Sequence, residues 1–349
     1  IPLKEYFLLE VRENGLPALK LLSKIHFAEN KIEIPIGKID VRYSDYENSA
    51  FTIDFSSPIH APNRYHYCCK RQTFDKPFKA SSDEFEVVRE FVSSNGQAIP
   101  VTIVQKKGVE KNSKNPLLVY AYGAYGSSID LSFYKPYSSL LNRGVILAYA
   151  HVRGGGEFGE PWHEAAKKEK KIATFKDLIA VSEYLIDEGY SSNERMALQG
   201  GSAGGTLAAG IINMRPDLFR VVLLEVPFVD AITDLNDPSI PYTPQEWEEW
   251  GNPQNINELK AIREWSPIDN IKWGAKPAVY ITAGMNDVQV PCYEPYKYFA
   301  KLKRHQAGKN PILFELIKGG HKGDTGRYSS IRQIAPMYAF LLNQLGIKR

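Results

Sequence analysis

The sequence predicts an all-β segment over residues 1–80 followed by a three-layer α/β domain over 81–349, and two contrasts carry that prediction. The first segment alternates short β-rich runs with turn signals and sustains no helical period, whereas from Phe85 onward apolar runs alternate with amphipathic stretches. Strands buried under helices on both faces read as continuous apolar runs, so the second pattern is that of a mostly parallel sheet. A chain of 349 residues, 43% apolar and 24% charged, has the make-up of an ordinary globule and can bury a sizeable core.

In the first segment, Tyr6 to Arg12 and Ala18 to Ser23 flank Asn14-Gly15. An Asn-Gly pair between two such runs signals a hairpin, because both turn residues must take positive φ. Lys31 to Ile36, Ala50 to Phe55 and Tyr65 to Lys70 are further strand candidates, punctuated by Pro35, Pro58, Pro62 and Pro77. They fit propeller or sandwich strands, and at about 40–45 residues per blade the segment holds fewer than two blades.

In the second segment the strand candidates are Val87 to Phe91, Ile99 to Gln105, Pro116 to Tyr122, Val145 to His151, Arg195 to Gln199, Arg220 to Val226, Ala278 to Ala283 and Ile312 to Lys318. Phe175, Leu178, Ile179, Ser182, Leu185 and Ile186 follow helical spacing up to Gly189, and Tyr296 to Leu302 and Ile331 to Leu345 behave similarly.

Composition narrows the function classes. Three cysteines, two of them neighbours, and no glycosylation sequon argue for a reducing, cytoplasmic compartment and against a disulfide framework. No apolar run is long enough for a membrane span. A net charge of +3, with Lys167, Lys168, Lys170 and Lys171 interleaved like a solvated helix face, argues against nucleic acid. The chain opens on Ile1, inside what reads as a strand region, so it is expected to be cut from something longer.

The strongest motif is Gly200-Gly201-Ser202-Ala203-Gly204, directly after a strand and directly before a run of small residues. A sharp strand-turn-helix needs glycines where a Cβ would strike backbone, and it lifts the serine hydroxyl out of the sheet as a nucleophile. The plain alternative is a glycine-rich packing turn. A nucleophilic serine needs a base and a group to orient that base, and in α/β-hydrolases these follow as Ser, Asp, His. Asp287 and His321 each sit just past the end of a later strand, the edge where open α/β sheets place their sites. Asp324 is the rival acid.

The tetrahedral intermediate requires hydrogen-bond donors, each worth about 3–4 kcal/mol. The Ala203 amide, next after the nucleophile, supplies one. Tyr122, in Tyr120-Ala121-Tyr122-Gly123-Ala124-Tyr125-Gly126, offers its phenol as the other, though the same pattern suits a packing aromatic. Between Val221 and Leu259 stand eight acids and no Lys or Arg. That segment reads either as a solvated face or as a cation-binding wall, the latter favoured by carboxylates and indoles together in Gln245-Glu246-Trp247-Glu248-Glu249-Trp250.

Two motifs are set aside. Gly154-Gly155-Gly156-Glu157-Phe158-Gly159 satisfies a dinucleotide fingerprint, but Pro161 and a polar stretch follow where a packed helix should start. His163-Glu164-Ala165-Ala166-Lys167 is half a zinc helix with Lys in place of the second His, so no metal site is argued.

With these pieces in hand, the sequence resembles the prolyl oligopeptidase family, and within it the oligopeptidase B branch. The resemblance rests on Tyr120 to Asp130, Arg153 to Glu157, Gly201 to Gly205, Asn213 to Phe219, Glu225 to Asp230, Glu246 to Pro253, Asn286-Asp287 and Gly320-His321, across essentially all of residues 80–349. It implies an α/β-hydrolase fold with a partial, propeller-derived all-β segment, and a cytosolic serine peptidase confined to short peptides. Carried over by motif, Ser202, Asp287 and His321 form the triad and Tyr122 with the Ala203 amide the oxyanion hole. Glu246 and Glu248 bind Arg or Lys before the scissile bond, with Tyr125 nearby. An acidic pair after the Tyr-Gly loop favours a second basic residue; Asp130 matches one member, and Ser132 stands at the other position. Gln289 stands where the family usually has a substrate-holding Arg, which implies altered peptide binding.

The expectation is therefore a serine endopeptidase cleaving short basic peptides after Arg or Lys, with no cofactor, no nucleic-acid or membrane partner, and the missing propeller segment as a possible separate chain. An esterase or acylaminoacyl-peptidase with the same triad is the alternative within the class. A non-catalytic fragment or scaffold is the alternative outside it.

Overall fold

The computed structural model describes residues 1–240, 243–323, 326 and 328–347. By compactness the chain divides into two units. One gathers Ile1–Val88, Val104–Lys107 and Asp130–Ser138, and the other Arg89–Ile103, Gly108–Ile129 and Ser139–Arg349.

The first unit holds two antiparallel sheets. Strands β1 (Tyr6–Glu13), β2 (Leu16–Ser23) and β3 (Glu29–Ile32) form one, and β4 (Lys38–Asp45), β5 (Ala50–Ser57), β6 (His60–Cys68) and β7 (Thr73–Phe74) the other. The predicted hairpin forms where Asn14-Gly15 places it, with φ of 51° and 78° and Glu13 opposite Leu16. Inward-facing Leu8, Leu19, Leu21, Phe51, Ile53 and Tyr65 make its core. Two readings are corrected here. The third strand is Glu29–Ile32 and ends before Pro35, which has no N–H to continue a ladder. Strand β4 went unpredicted because its residues are polar and half-exposed along an edge.

The second unit carries most of an eight-stranded sheet: β8 (Phe85–Ser94), β9 (Gln97–Lys106), β10 (Leu117–Ala121), β11 (Ile146–Ala150), β12 (Met196–Gly201), β13 (Val221–Glu225), β14 (Ala278–Gly284) and β15 (Ile312–Ile317). All eight match predicted runs. The spatial order is β15-β14-β13-β12-β10-β11-β9-β8, and the stretch from β11 to β15 is parallel. The chain leaves β10 toward β11 and then returns to the other side of β10 to form β12, so the strand order reverses there. Such a switch point opens a crevice beyond the carboxyl ends of β10 and β12.

The helices Ile172–Asp187, Tyr293–Arg304 and Ser329–Gln344 match the predicted apolar periods. The helix Ala203–Met214 is short-sided, which brings it close to its neighbours: a Cβ on Gly205 would lie 2.5 Å from Pro227 Cβ. Three helices, Ala231–Asn236, Thr243–Trp250 and Ile256–Trp265, occupy the acidic stretch that the sequence left without elements.

Candidate active site

Strand β12 ends at Gly201, and Ser202 follows with φ 52° and ψ −121° before the helix begins at Ala203. A serine at positive φ costs on the order of 1–3 kcal/mol and persists only where its surroundings over-determine it. Here Ser202 N–H donates to the Glu225 carbonyl at 2.9 Å, and the Ser202 carbonyl accepts from Thr206 N–H at 3.2 Å and Phe228 N–H at 3.3 Å. The flanking glycines are needed unequally. A Cβ on Gly200 would overlap the Gly204 backbone, and one on Gly204 would lie 2.6 Å from the Ala121 carbonyl oxygen. One on Gly201 would make ordinary contact at 3.4 Å, so steric necessity rests on Gly200 and Gly204.

Asp287 and His321 are brought together by the loops after β14 and β15. Asn286 N–H donates to the Gly319 carbonyl at 2.8 Å, so the loops are joined backbone to backbone. Asp287 Oδ1 accepts from the amides of Gln289 (2.9 Å) and Val290 (3.0 Å), while Oδ2 lies 2.7 Å from His321 Nδ1. Burial opposes the Asp287 charge, but the His321 bond and the two amides hold the carboxyl below its usual range. An ionised Asp287 accepting from Nδ1–H fixes the imidazole tautomer whose Nε2 carries the basic lone pair. The rival acid Asp324 lies outside the described residues.

Tyr122 follows β10, and the Ser202 side chain is among the groups that act on its phenol. Burial, with Glu249 and Glu246 nearby, pushes that phenol up, so it stays a neutral O–H donor. The loop carrying it is clamped from two sides. Lys171 Nζ donates to the Gly123 carbonyl at 2.9 Å, and Gly126 N–H to the Gly154 carbonyl at 3.0 Å. A side chain on Gly154 or Gly156 would overlap the Gly123 or Gly126 carbonyl, so the glycine run that mimics a dinucleotide fingerprint is a close backbone contact between loops. Arg153 at its head is fixed by buried Asp177 through bonds of 2.8 and 2.6 Å.

A cavity of about 430 Å³ opens beside the nucleophile. Ser202, Ala203, Tyr125, Glu246 and Gln289 line it together, and Phe228, Asp234 and Val290 complete much of its wall. Glu246 Oε2 accepts from the Tyr125 phenol at 2.6 Å and from Trp250 Nε1 at 3.1 Å.

The helix Thr243–Trp250 separates its three glutamates. Successive residues turn by about 100°, so Glu248 points some 200° away from Glu246. Its side chain is 79% exposed and pairs with Lys168 at 3.0 Å, away from the cavity lining that Glu246 joins. Glu249, which the sequence reading passed over, is buried and bonds His163 Nε2 at 2.6 Å and Lys171 Nζ at 2.9 Å. Burial works against its charge, and Lys171 and His163 together hold it below the usual carboxylate range. The i, i+4 spacing of Glu246 and Trp250 was the signal in the sequence for one face of this helix. Nothing in the sequence marked Lys171 as the partner of Glu249, since it sat in what read as a solvated basic run. Asp130 belongs to the first unit, where it pairs with Lys38 at 3.0 Å and accepts from Ser132 N–H at 2.8 Å.

A strand-turn-helix serine, an Asp–His pair on the loops after β14 and β15 and a tyrosine after β10 all follow the carboxyl ends of sheet strands. The sequence signature of the prolyl oligopeptidase family matches residues 131–348. The chain belongs to the prolyl oligopeptidase family. Among curated family relatives, dipeptidyl aminopeptidase BI of Pseudoxanthomonas mexicana is 46% identical over 71% of this chain and 35% of its own length. Protease 2 of Moraxella lacunata is 34% identical over 99% of this chain and 52% of its own. Oligopeptidase B from Leishmania major superposes with a TM-score of 0.87 at 30% identity, over 99% of this chain and 51% of that one. Oligopeptidase B from Trypanosoma brucei, solved with covalently bound antipain, gives 0.88 at 32%, over 100% and 52%. The chain is thus close to oligopeptidase B within the family and spans between 35% and 52% of the length of these curated relatives. The matching domain has the α/β-hydrolase fold. Among the described residues no helix is long and apolar enough to cross a membrane.

Proposed function

We propose that this chain carries the catalytic domain of a serine oligopeptidase that cleaves short peptides after Arg or Lys. The observation that carries the reading is that nucleophile and acid share one cavity: Ser202 and Glu246 both line the 430 Å³ space, with Tyr125 and Trp250 bonded to the carboxylate. A guanidinium entering there would meet a preset carboxylate and aromatic faces.

In this mechanism His321 Nε2 takes the Ser202 proton as the oxygen attacks the scissile carbonyl. Asp287 stabilises the imidazolium, the Tyr122 phenol and the Ala203 amide hold the oxyanion, and His321 returns the proton to the leaving amine. Water, activated by the same base, then releases the acyl group. Gln289 faces the cavity as a neutral amide contact for substrate. The antiparallel four-stranded sheet β4–β7 supports reading the first unit as closing blades of a propeller, whose remainder would belong to the longer protein or to a second chain. A second-subsite role for Asp130 is part of the proposal, and Lys38 would have to yield its place. A cytoplasmic setting rests on three unbridged cysteines.

The test is hydrolysis of matched fluorogenic peptides ending in Arg, Leu or Pro by the protein and by Ser202→Ala and Glu246→Gln. Leaving a buried carboxylate unpaired costs about 3–5 kcal/mol, so Leu in place of Arg should lose at least about a hundredfold. Glu246→Gln should cut cleavage after Arg far more than after Leu; equal losses would remove its assigned role, and silence on every substrate would favour the scaffold reading. The 46% identity to a dipeptidyl aminopeptidase favours a second reading, removal of dipeptides from free amino termini. Pairs of substrates with free and blocked amino termini separate the two.

A further inference from the structure

One buried cation touches both the loop of Tyr122 and the helix of Glu246, and the proposed mechanism gives it no part. Lys171 is 3% exposed, and its ammonium meets three partners: the Gly123 carbonyl at 2.9 Å, Glu249 Oε1 at 2.9 Å, and the ring of Trp250, whose centre lies 4.5 Å from Nζ. Gly123 is the residue after Tyr122, and no other described residue donates to its carbonyl. Glu249 and Trp250 belong to the helix Thr243–Trp250, which also carries Glu246.

We propose that Lys171 is a positioning residue for both halves of the site: it holds the loop of Tyr122 and the helix of Glu246 in one register, so that oxyanion stabilisation and selection of a basic side chain depend on the same ammonium. The inference rests on the reading of Tyr122 as the oxyanion donor and of Glu246 as the acid of the pocket.

Lysine is seldom fully buried, and a buried ion pair is weak evidence for stability, since well-packed apolar residues of similar volume often serve as well. What an apolar side chain at position 171 could not supply is donors, and an ammonium has three. The base from which they reach is fixed. Lys171 closes the short helix Lys168–Lys170, donating its N–H to the Lys168 carbonyl at 3.0 Å, and it opens the helix Ile172–Asp187, where its carbonyl accepts from Thr174 N–H at 3.1 Å. Each contact of the ammonium then leads one step further. Gly123, at φ 69°, directs the chain as it leaves Tyr122, and Trp250, whose ring lies against Nζ, donates from Nε1 to Glu246 Oε2 at 3.1 Å. His163 closes the assembly: its Nε2 bonds Glu249 Oε2 at 2.6 Å, and a Cβ on Gly126, at the far end of the same loop, would meet its ring at 3.5 Å.

The experiment uses two neutral replacements of the pair, Lys171→Met/Glu249→Gln and Lys171→Gln/Glu249→Gln, so that neither partner is left as a lone buried charge. Urea unfolding is measured together with kcat and KM on matched peptides ending in Arg and Leu, and each pair is also combined with Tyr122→Phe and with Glu246→Gln. In a pair that still unfolds cooperatively, kcat on Leu should fall about ten- to a hundredfold, the order of loss that a misplacement of about 1 Å brings. The preference for Arg over Leu should fall about tenfold as well. Residues that act through one another are not additive. The Leu loss should therefore nearly vanish in the Tyr122→Phe background, and the loss of preference in the Glu246→Gln background. Full losses in those backgrounds, or unchanged kinetics in a folded pair, would overturn the inference. Failure of both pairs to fold would make Lys171 a residue of the fold alone and would also overturn it. If Tyr122→Phe and Glu246→Gln by themselves change neither turnover nor preference, the underlying reading of the site fails; if they do and the folded pairs do not, only this inference does.

Discussion

Tyr125 donates its phenolic proton to Glu246 Oε2 at 2.6 Å, joining the loop after β10 to the helix Thr243–Trp250 across 121 positions of sequence. Trp250 Nε1 donates both to that phenol, at 2.9 Å, and to the same carboxylate. The carboxylate is thus oriented before any substrate arrives, and Tyr125 is held at φ 58°, a conformation the close loop packing enforces.

Removing that orientation should weaken binding more than chemistry. A hydrogen bond to a charged group contributes about 1.5–3 kcal/mol. Tyr125→Phe is expected to raise KM for Arg substrates on the order of tenfold while kcat moves little. Steady-state kinetics on Arg and Leu peptides check this, and a fall in kcat at constant KM would contradict it.

Tyr122 should show the reverse. In the proposed mechanism its phenol is the side-chain donor to the oxyanion, a charge that exists only in the transition state and intermediate. Losing one such donor costs roughly 10²–10³ in kcat. Tyr122→Phe should therefore slow turnover on all substrates alike, with KM nearly unchanged.

The pair of Lys171, 3% exposed, and Glu249, 4% exposed, predicts a stability effect. Glu249→Gln leaves a buried ammonium without its counter-charge, at a cost of about 3–5 kcal/mol. Urea unfolding should register that loss, and adding Lys171→Met should recover much of it. No recovery in the double variant would place the cost elsewhere, for instance in the lost contact with His163.

Asp287 predicts a pH dependence whose sign is fixed. Its folded carboxyl titrates below the unfolded value of about 3.9. It therefore adds stability that is complete above that value and is lost as pH falls through the folded one. The difference in unfolding free energy between the protein and Asp287→Asn should be level above about pH 5 and shrink below about pH 4. A difference that instead changed between pH 6 and 8 would assign the effect to another group.

The sequence by itself determined the strands of the large sheet, the Asn14-Gly15 hairpin and the order of the reactive residues, because apolar runs, turn residues and glycines at close approaches are local requirements. It left Ser202, Asp287 and His321 as candidates at three strand ends. The tertiary structure decided what chain order cannot express. Helical rotation turned Glu246 into the cavity and Glu248 out to Lys168. Packing buried Lys171 against Glu249, although its neighbours in sequence read as a solvated face. It also buried Asp234 and Glu294, 60 residues apart in sequence, and burial raises both carboxyls. Charges signal their roles only through the partners that folding brings to them, since burial and proximity set the energy of an ion far more than residue type does.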